Sequence, residues 1–262
     1  MNLMELFNYY YNNLADPRVK DRYFFASIWF TIIIIVIYLI VSFKLIPDYM
    51  KNRPAYKLNI FIKFYNIFQV ATNAYVVKEL SICYPFHRAF ECRPITFDMD
   101  DCSMRIVNGS VITILLKLID LSETVIYLLR KKNNQVSFLH LYHHISTFLV
   151  GIIYLRYFTS EVSMLFPIMN CGVHVIMYFY YFLSNFPGQI KQMIIPLKRY
   201  MTLIQMGQLF LMLIQVIFFL LQDCGLSRVI LYMTLFNTII NFGLFFQFYR
   251  KTYINSKKKK IN

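Results

Sequence analysis

The sequence predicts an all-α membrane protein that folds as a bundle of seven transmembrane helices. Of the 262 residues, 58% are hydrophobic and only 15% are charged, and the mean hydropathy is +0.49. Soluble domains of this size do not normally carry such a composition. The apolar residues also group into seven runs, and the basic residues collect in the short segments between those runs. These three observations together indicate a polytopic membrane protein.

Each apolar run is long enough to cross a membrane, which takes about 20 residues in a helix. The first run begins near Phe24 and is itself long enough to span, so we expect no cleavable signal peptide. We expect a single seven-span domain over residues 1–262, with a basic tail over 250–262. The predicted spans cover residues 24–43, 58–77, 107–129, 138–157, 162–184, 200–221 and 229–249.

The distribution of lysine and arginine predicts the orientation of the bundle. The formal charge is +14, from 27 basic and 13 acidic residues. Sixteen basic residues lie in segments 44–57, 130–137, 185–199 and 250–262, against nine in the segments on the other side. The positive-inside rule therefore places the carboxyl terminus in the cytosol and the amino terminus across the membrane. Basic loops of this kind attract anionic lipid or phosphorylated ligands, and we expect no nucleic-acid partner.

The last residues predict a location in the endoplasmic reticulum. Lys259 and Lys260 stand fourth and third from the carboxyl terminus. On a cytosolic tail, that placement forms a dilysine retrieval signal for the endoplasmic reticulum. The alternative is that the four lysines from Lys257 to Lys260 bind anionic lipid as a stop-transfer anchor. Because the topology agrees with retrieval, we expect a multi-pass protein of that membrane with a lumenal amino terminus.

The same topology places Cys92 and Cys224 in lumenal loops, where thiols can oxidise. We predict a disulfide between them, which would tie the loop between the second and third spans to the loop before the last span. Cys83 and Cys102 are competing partners. The five cysteines have no Cys-x-x-Cys spacing and so do not predict a metal site. Asn108 begins a formal glycosylation sequon at the mouth of the third span, where we expect it to be unused.

A cluster of ionisable and amide side chains lies inside the predicted third to sixth spans. A charged group at mid-helix costs about 2.5 to 3.5 kcal/mol on insertion scales, so it persists chiefly where it forms a functional site. In a helix, residues three and four apart share a face. His140, His143 and His144 therefore project their imidazoles into one pocket from the start of the fourth span.

Three further spans present polar faces at helical spacing. A lone amide in a span is usually an interhelical hydrogen bond, but the joint pattern predicts a reactive or metal-binding site. The simplest packing encloses one polar chamber that opens to the cytosol. The faces consist of Lys117, Asp120, Glu123 and Thr124 on the third span, Asn170, His174, Met177, Tyr178 and Tyr181 on the fifth, and Thr202, Gln205 and Gln208 on the sixth.

Clustered histidines raise the alternative of a metal-dependent membrane lipid oxidoreductase. The His-x-x-His-His spacing occurs among the histidine boxes of membrane di-iron desaturases and hydroxylases. Those enzymes use more histidines than the five of this chain, in which His87 falls in a lumenal loop. A di-iron centre is therefore not expected, and one metal held by three or four imidazoles stays an alternative. A receptor or transporter would not explain four converging polar faces.

Four polar motifs occur in order along the chain. They are Lys117-Leu-Ile-Asp120-Leu-Ser-Glu123-Thr124, Leu139-His140-Leu-Tyr-His143-His144, Asn170-Cys-Gly-Val-His174-Val-Ile-Met177-Tyr178-Phe-Tyr180-Tyr181 and Thr202-Leu-Ile-Gln205-Met-Gly-Gln208. In order and spacing, they resemble the signatures of the very-long-chain fatty acid elongases, the ELO family of 3-ketoacyl-CoA synthases. The resemblance covers essentially the whole chain, including the dilysine end. One departure is that the usual motif has Glu before Asp, whereas here Asp120 precedes Glu123.

The resemblance implies a condensing enzyme of fatty acid elongation, which is an acyltransferase. It would join a long-chain acyl-CoA to malonyl-CoA, release carbon dioxide and CoA, and yield a 3-ketoacyl-CoA longer by one two-carbon unit. The helices would then enclose an apolar tunnel for the acyl chain, closed toward the lumen. We expect no cofactor and no metal. The expected partners are acyl-CoA and malonyl-CoA, membrane lipid, the other enzymes of the elongation cycle and a second copy of the chain.

Within that reaction, we assign His143 as the acyl acceptor. A neutral imidazole in a dry pocket can act as a nucleophile, and no thiol lies in the histidine motif. His174 would orient the acyl-imidazole or share proton transfer. His140 and His144 would polarise carbonyls or stabilise the enolate that forms when malonyl-CoA loses carbon dioxide.

The remaining polar residues receive supporting roles on the same resemblance. Neutral amide donors would assist the enolate, and a paired charge network, with two tyrosines beside it, would position the histidines. Basic side chains at the cytosolic entrance would bind the phosphates of CoA. The amides are Asn170, Gln205 and Gln208, the network is Lys117, Asp120 and Glu123 with Tyr178 and Tyr181, and the basic set is Arg130, Lys131, Lys132, Lys198 and Arg199.

Overall fold

A computed structural model describes residues 2–22, 27–222 and 224–255 of the chain. These residues form helices and contain no strand. The predicted retrieval signal at Lys259 and Lys260 lies outside them, as does the predicted start of the first span at Phe24. The α-helices are α1 (Leu3–Asn8), α2 (Ile28–Ile40), α3 (Ile46–Met50), α4 (Asn59–Cys83), α5 (Asp101–Asp120), α6 (Ser122–Leu129), α7 (Phe138–Tyr157), α8 (Leu165–Ser184), α9 (Gln189–Ile194), α10 (Lys198–Leu221) and α11 (Arg228–Tyr249).

Five helical stretches within the described ranges are long and apolar enough to cross a membrane. Two other long stretches, α4 and the pair α5 and α6, carry more charged and amide side chains. The prediction of an all-α membrane protein with several spans is confirmed, and the count of seven crossings stays a prediction. The five stretches are Ile28–Met50, Phe138–Tyr157, Glu161–Ser184, Gln189–Leu221 and Arg228–Ile254.

The observed helices differ from the predicted spans mainly in the first and third. α2 begins at Ile28 because the Ser27 hydroxyl caps the helix by accepting a hydrogen bond from the Trp29 N–H at 3.2 Å. The helical stretch then continues through a π-helical turn to Met50, well past the predicted end at residue 43. The third span is interrupted at Leu121, where α5 ends and α6 begins. Hydrophobicity could not reveal this break, because the apolar pattern runs through it.

Six helices form a closed ring. Each contacts the next in the order α4, α5, α7, α11, α10 and α8, and α8 returns to α4. Gly109 of α5 permits one close approach, because a Cβ there would lie 2.6 Å from the Leu80 side chain of α4. α2 packs on the outside of this ring, where Ile34 and Ile35 contact an apolar cluster shared by α5 and α7. The ring encloses the cavities described below.

Two disulfides join the loops at one end of the ring, which we name the disulfide end. Cys92 pairs with Cys224 across a Cα to Cα distance of 4.9 Å and so links the loop after α4 to the loop before α11. Cys83 and Cys102, the competing partners, pair with each other across 5.4 Å. Cys171 of α8 is a buried free thiol. Both lumenal loops predicted from the sequence are therefore fastened at the same end of the protein.

The amino-terminal segment closes the disulfide end. Arg18 is buried with Asp16 in an ion pair of 2.7 Å, and its guanidinium donates a hydrogen bond to the Thr159 carbonyl at 2.7 Å. Arg156, in the last turn of α7, donates to the Tyr11 carbonyl at 2.7 Å. A buried charge is tolerated when it is paired and hydrogen-bonded in this way. These bonds hold the amino-terminal segment across the end of the ring.

Candidate active site

The histidines line a cavity of about 650 Å³ at the end of the ring opposite the disulfides. We name this cavity the polar chamber and this end the histidine end. Side chains from α5, α6, α7, α8 and α10 meet in its wall, because each helix turns its polar face inward. The predicted site residues found there are Lys117, Asp120, Glu123, His140, His143, His144, His174, Tyr178, Tyr181, Lys198 and Gln205.

The three histidines of α7 enter the chamber from the first turns of the helix. The Ser137 hydroxyl caps α7 by accepting a hydrogen bond from the His140 backbone N–H at 3.2 Å. The ring centroid of His140 lies 4.2 Å from that of His144, and the centroid of His143 lies 5.8 Å from that of His144. His143 also packs edge-on against Phe245 of α11, with centroids 5.6 Å apart. The three imidazoles therefore form one continuous group in the chamber wall.

The interruption at Leu121 lies between two carboxylates that share one partner. The Tyr178 hydroxyl of α8 lies 2.9 Å from Asp120 Oδ1 and 2.7 Å from Glu123 Oε1. On its other side, Glu123 Oε2 lies 3.5 Å from His144 Nε2. Tyr178 and the two carboxylates thus connect α5, α6 and α8 to the histidines of α7.

His174 is held by a charged pair. Asp120 Oδ2 lies 3.3 Å from Lys117 Nζ and 3.8 Å from His174 Nδ1, and Lys117 Nζ lies 3.4 Å from His174 Nε2. An ammonium can only donate hydrogen bonds, so His174 accepts at Nε2 and carries its proton on Nδ1, toward Asp120. Lys117 and Asp120 therefore fix both the orientation and the tautomer of His174.

Sequence reasoning missed Gln69 of α4. Its Nε2 donates a hydrogen bond to Asp120 Oδ1 at 2.8 Å, and its Oε1 accepts one from Asn73 Nδ2 at 3.1 Å. Asn66, Gln69 and Asn73 are all buried and stand at i, i+3 and i+7, which is the spacing of one helical face. This spacing is the sequence signal that could have identified Gln69 as a site residue. The second predicted span thus presents a polar face to the site, as the third to sixth do.

The three amides predicted for the site occupy different places. Gln205 lines the chamber, and its Nε2 contacts Met177 Sδ at 3.3 Å. Gln208 is buried, contacts Met212 Sδ at 3.5 Å and does not reach the chamber wall described here. Asn170 lines a second cavity deeper in the ring. Of these three predicted amides, Gln205 is therefore the one positioned to meet a group bound in the chamber.

Of the five predicted basic residues, Lys198 is the one in the chamber wall. Arg199 instead donates a hydrogen bond from Nε to the Tyr249 hydroxyl at 2.6 Å, which ties α10 to α11. Lys251 also lines the chamber. In the sequence it counts only as one of the basic residues of segment 250–262, which predict the orientation in the membrane. Two ammonium groups, from Lys198 and Lys251, thus stand at the histidine end of the cavity.

The other three predicted basic residues, Arg130, Lys131 and Lys132, lie outside the chamber wall, just after α6. Burial, followed by the neighbouring charges of Arg130 and Lys191, lowers the pKa of Lys132. The charges of Arg130 and Lys191 therefore lie close to that of Lys132. Arg130, Lys131 and Lys132, which are consecutive in the chain, form a basic patch on the histidine end.

A narrower cavity adjoins the chamber on the side of the disulfide end. Its volume is about 130 Å³, and we name it the apolar pocket because carbon atoms dominate its wall. Lys117 and Thr147 belong to the walls of both cavities, so the two meet there. The pocket reaches Thr159, whose carbonyl accepts the bond from Arg18. Its wall also includes Ser110, Thr113, Ile114, Gly151, Tyr154, Leu155, Met164, Phe166 and Asn170.

Among the described residues, Glu123, His140 and His144 form a group that could hold a metal ion. One ligand atom from each lies within 4.8 Å of the others. Imidazole nitrogen and carboxylate oxygen are ligands for zinc and for non-haem iron. The single-metal alternative raised by the sequence therefore keeps a geometric basis in these three residues.

The chain matches the family model described as "ELO: GNS1/SUR4 family" over residues 23–261. The chain belongs to the ELO family. The matched region includes the walls of the polar chamber and the apolar pocket. The sequence resemblance to the ELO family is thereby confirmed, and with its apolar helices the protein is a multi-pass membrane protein of that family.

Curated proteins of similar sequence carry elongase names. "Very long chain fatty acid elongase 4" of Mus musculus is 32% identical over 248 residues, which is 94% of this chain and 79% of the relative. "Very long chain fatty acid elongase F" of Drosophila simulans is 32% identical over 250 residues, covering 90% of this chain and 91% of the relative. "Very long chain fatty acid elongase 2" of Mus musculus is 31% identical over 94% of this chain and 83% of the relative.

Proposed function

We propose that this ELO-family protein is a condensing enzyme of fatty acid elongation, which joins a long-chain acyl-CoA to malonyl-CoA. The observation that carries the proposal is the junction at Lys117 and Thr147, where a histidine-lined chamber adjoins a narrow apolar pocket. The proposal directs the acyl chain into this pocket, so that its thioester would lie among the histidines. The elongase names of the relatives support the same reaction class.

His143 is the proposed acyl acceptor. It lines the chamber, and among the described residues no hydrogen bond to its imidazole competes for the ring nitrogens. In the first step a ring nitrogen attacks the thioester carbonyl, the C–S bond breaks, and CoA leaves as a thiol after taking up the imidazole proton. The product is an acyl-imidazole with its chain in the apolar pocket.

Malonyl-CoA is the second substrate. Loss of carbon dioxide from its malonyl group leaves an enolate, whose carbon attacks the acyl carbonyl. The new C–C bond forms as the C–N bond to His143 breaks, and the departing imidazole takes up a proton from water, which restores the neutral ring. His140, His144 and Gln205 face the chamber in which this charge develops, and their N–H groups can stabilise it. His174, already held by Lys117 and Asp120, is the group available to orient the acyl-imidazole or to move a proton.

Cys171 is the rival nucleophile, since it lies three residues before His174. Its side chain, however, belongs to an apolar cluster with residues such as Val76, Leu80 and Leu116 from α4 and α5. It is 1% exposed and is absent from both described cavity walls. A thioester in the chamber would therefore not meet the Cys171 thiol.

The substrates would enter at the histidine end. Lys198 and Lys251 in the chamber wall, and the basic patch of Arg130, Lys131 and Lys132 outside it, supply positive charge for the phosphates of CoA. We propose that this end lies on the cytosolic side of the endoplasmic reticulum membrane, as the positive-inside rule predicts. The proposed partners remain the two CoA thioesters, membrane lipid, the other enzymes of the cycle and a second copy of the chain.

The deciding experiment incubates membranes that contain the protein with labelled malonyl-CoA and a panel of acyl-CoAs. We expect labelled 3-ketoacyl-CoA whose chain exceeds that of the added acyl-CoA by one two-carbon unit, formed only when both substrates are present. Membranes that carry no copy of the protein serve as the control. A protein that oxidises the acyl chain, or that releases no labelled lipid product, would contradict the proposal.

Turnover is expected not to depend on a transition metal, because acyl transfer through imidazole needs neither redox chemistry nor a Lewis acid. Dialysis against a strong chelator should change the condensation rate by less than about twofold, whereas metal-assisted catalysis would lose far more. The measurement is the rate before chelation, after it, and after adding back iron or zinc. Loss restored by either metal would favour the alternative reaction class, with Glu123, His140 and His144 as ligands.

Filling the apolar pocket is expected to shorten the acyl chains that the protein accepts. Thr113 and Ser110 stand one and two helical turns below Lys117 on α5, and both line the pocket. Thr113→Phe should therefore impose a shorter limit than Ser110→Phe, measured as product distribution over a series of acyl-CoA lengths. Leu115→Phe, at an exposed position of the same helix, is the matched control. Equal limits for all three variants would place the acyl chain elsewhere.

A further inference from the structure

A hydrogen-bonded chain reaches His140 from outside the six-helix ring. The Tyr38 hydroxyl of α2 lies 2.7 Å from Thr124 Oγ1 of α6, and the same Oγ1 lies 2.9 Å from His140 Nε2. Tyr38 is 6% exposed and Thr124 is fully buried. The roles proposed above use neither side chain. Three helices thus meet in one line of polar atoms that ends on a chamber histidine.

We infer that Tyr38 is a positioning residue for His140 and acts through Thr124. The inference rests on the proposed condensation, in which His140 stabilises developing charge. The Thr124 hydroxyl can donate only one hydrogen bond, and it has two partners, Tyr38 and His140. If Thr124 donates to His140 Nε2, then Tyr38 donates to Thr124, and every polar atom in the line is satisfied.

In the opposite order His140 donates to Thr124 and Thr124 donates to Tyr38, whose own proton can go to the neighbouring Ser42 hydroxyl. Hydrogen-bond satisfaction alone therefore permits both orders. The proposed role of His140 selects the first order, because Nδ1 can donate to an enolate only if Nε2 accepts from Thr124.

The first order determines what His140 presents to the chamber. Its Nε2 accepts from Thr124, so the proton resides on Nδ1. The ring is also packed between Tyr127, with centroids 5.3 Å apart, and His144, 4.2 Å apart. Thr124 and Tyr38 therefore hold one tautomer and one ring orientation. Tyr38, on a helix outside the ring, therefore determines that a substrate carbonyl or enolate meets the Nδ1–H group of His140.

The test compares variants that remove one hydroxyl each. Tyr38→Phe should lower kcat about 3- to 10-fold, the factor typical of one lost hydrogen bond, and leave KM for both substrates within about twofold. Thr124→Val should lower kcat further, and Thr124→Ser should restore it. Because Tyr38 acts through Thr124, the double variant Tyr38→Phe/Thr124→Val should be no slower than Thr124→Val alone.

Thr31→Val is the matched control, since it also removes a buried hydroxyl from α2, and its kcat should equal that of the wild type. A second readout does not need turnover: mass spectrometry of diethyl pyrocarbonate labelling at His140, with His87 as the internal reference. Tyr38→Phe should speed labelling of His140 and not of His87. Unchanged labelling, additive losses in the double variant, or a Thr31→Val loss equal to that of Tyr38→Phe would each overturn the inference. If the wild type makes no ketoacyl product, the proposed function fails, and the labelling still decides the Tyr38 chain.

Discussion

His143→Ala is expected to abolish condensation while the protein stays folded and inserted in the membrane. The substitution removes the proposed nucleophile from a cavity wall, and its imidazole supports no described hydrogen bond that the fold would lose. Removing a catalytic nucleophile commonly costs roughly 10³-fold or more in rate. The measurement is 3-ketoacyl-CoA formation by purified variant and wild type, with size-exclusion profiles and melting temperatures to establish equal folding.

The matched variant is Cys171→Ser. Cys171 packs in the apolar cluster behind the chamber and is the other nucleophilic side chain close to His174, so this variant should keep its activity. Acyl transfer should leave a labile acyl group on His143 of the wild type, detectable by mass spectrometry after rapid quenching with acyl-CoA alone. Substantial residual acyl transfer in His143→Ala would remove His143 from the role of acyl acceptor.

Removing the bond between Cys92 and Cys224 is expected to lower stability without changing the site. The bond closes a loop over a sequence separation of 132, and in the chain-entropy model so long a loop is worth roughly 4 to 5 kcal/mol, although engineered cases often deliver less. Cys92→Ser should therefore lower the melting temperature in detergent. Condensation at a permissive temperature should persist, because the disulfides and the histidines lie at opposite ends of the ring.

A double variant tests whether Cys92 and Cys224 share one bond. Cys224→Ser should match Cys92→Ser, and the two changes together should be no worse than either alone, since both remove one shared bond. Cys83→Ser provides a second comparison, because its partner Cys102 closes a separation of only 19. The model entropy for that shorter loop is smaller. Summed losses in the Cys92 and Cys224 pair, or non-reduced peptides that link either cysteine to Cys83 or Cys102, would show that the pairing is wrong.

Helical periodicity predicted much of the candidate site, because a polar stripe on an apolar helix can face only inward. It brought His140, His143 and His144 together on α7 and placed His174 with Tyr178 on α8. The same rule would have found Gln69, had Asn66 and Asn73 been read with it as one face. What periodicity cannot supply is contact between helices, which is set by packing.

Tyr38 shows that limit most clearly. A single tyrosine among isoleucines carries no periodic signal, and its importance arises only because α2 packs where its hydroxyl reaches Thr124. Arg199 shows the same limit for a charged residue. Its Nε donates a hydrogen bond to the Tyr249 hydroxyl of α11, a contact that the sequence did not indicate. The sequence also gives no signal for the interruption at Leu121, since the residues on both sides favour a helix.

The closed ring has a consequence for how the protein is assembled. α4 and α5 pack together early in the chain, and they bring Gln69, Lys117 and Asp120 with them. Two groups that complete this network, His174 and Tyr178, belong to α8 and are synthesised later. Within the α4–α5 pair, Gln69 and Lys117 already contact Asp120, which lowers the cost of holding these groups in hydrocarbon. The network is complete only after α8 has been synthesised, so the residues that prepare the chamber for chemistry also join the late part of the chain to the early part.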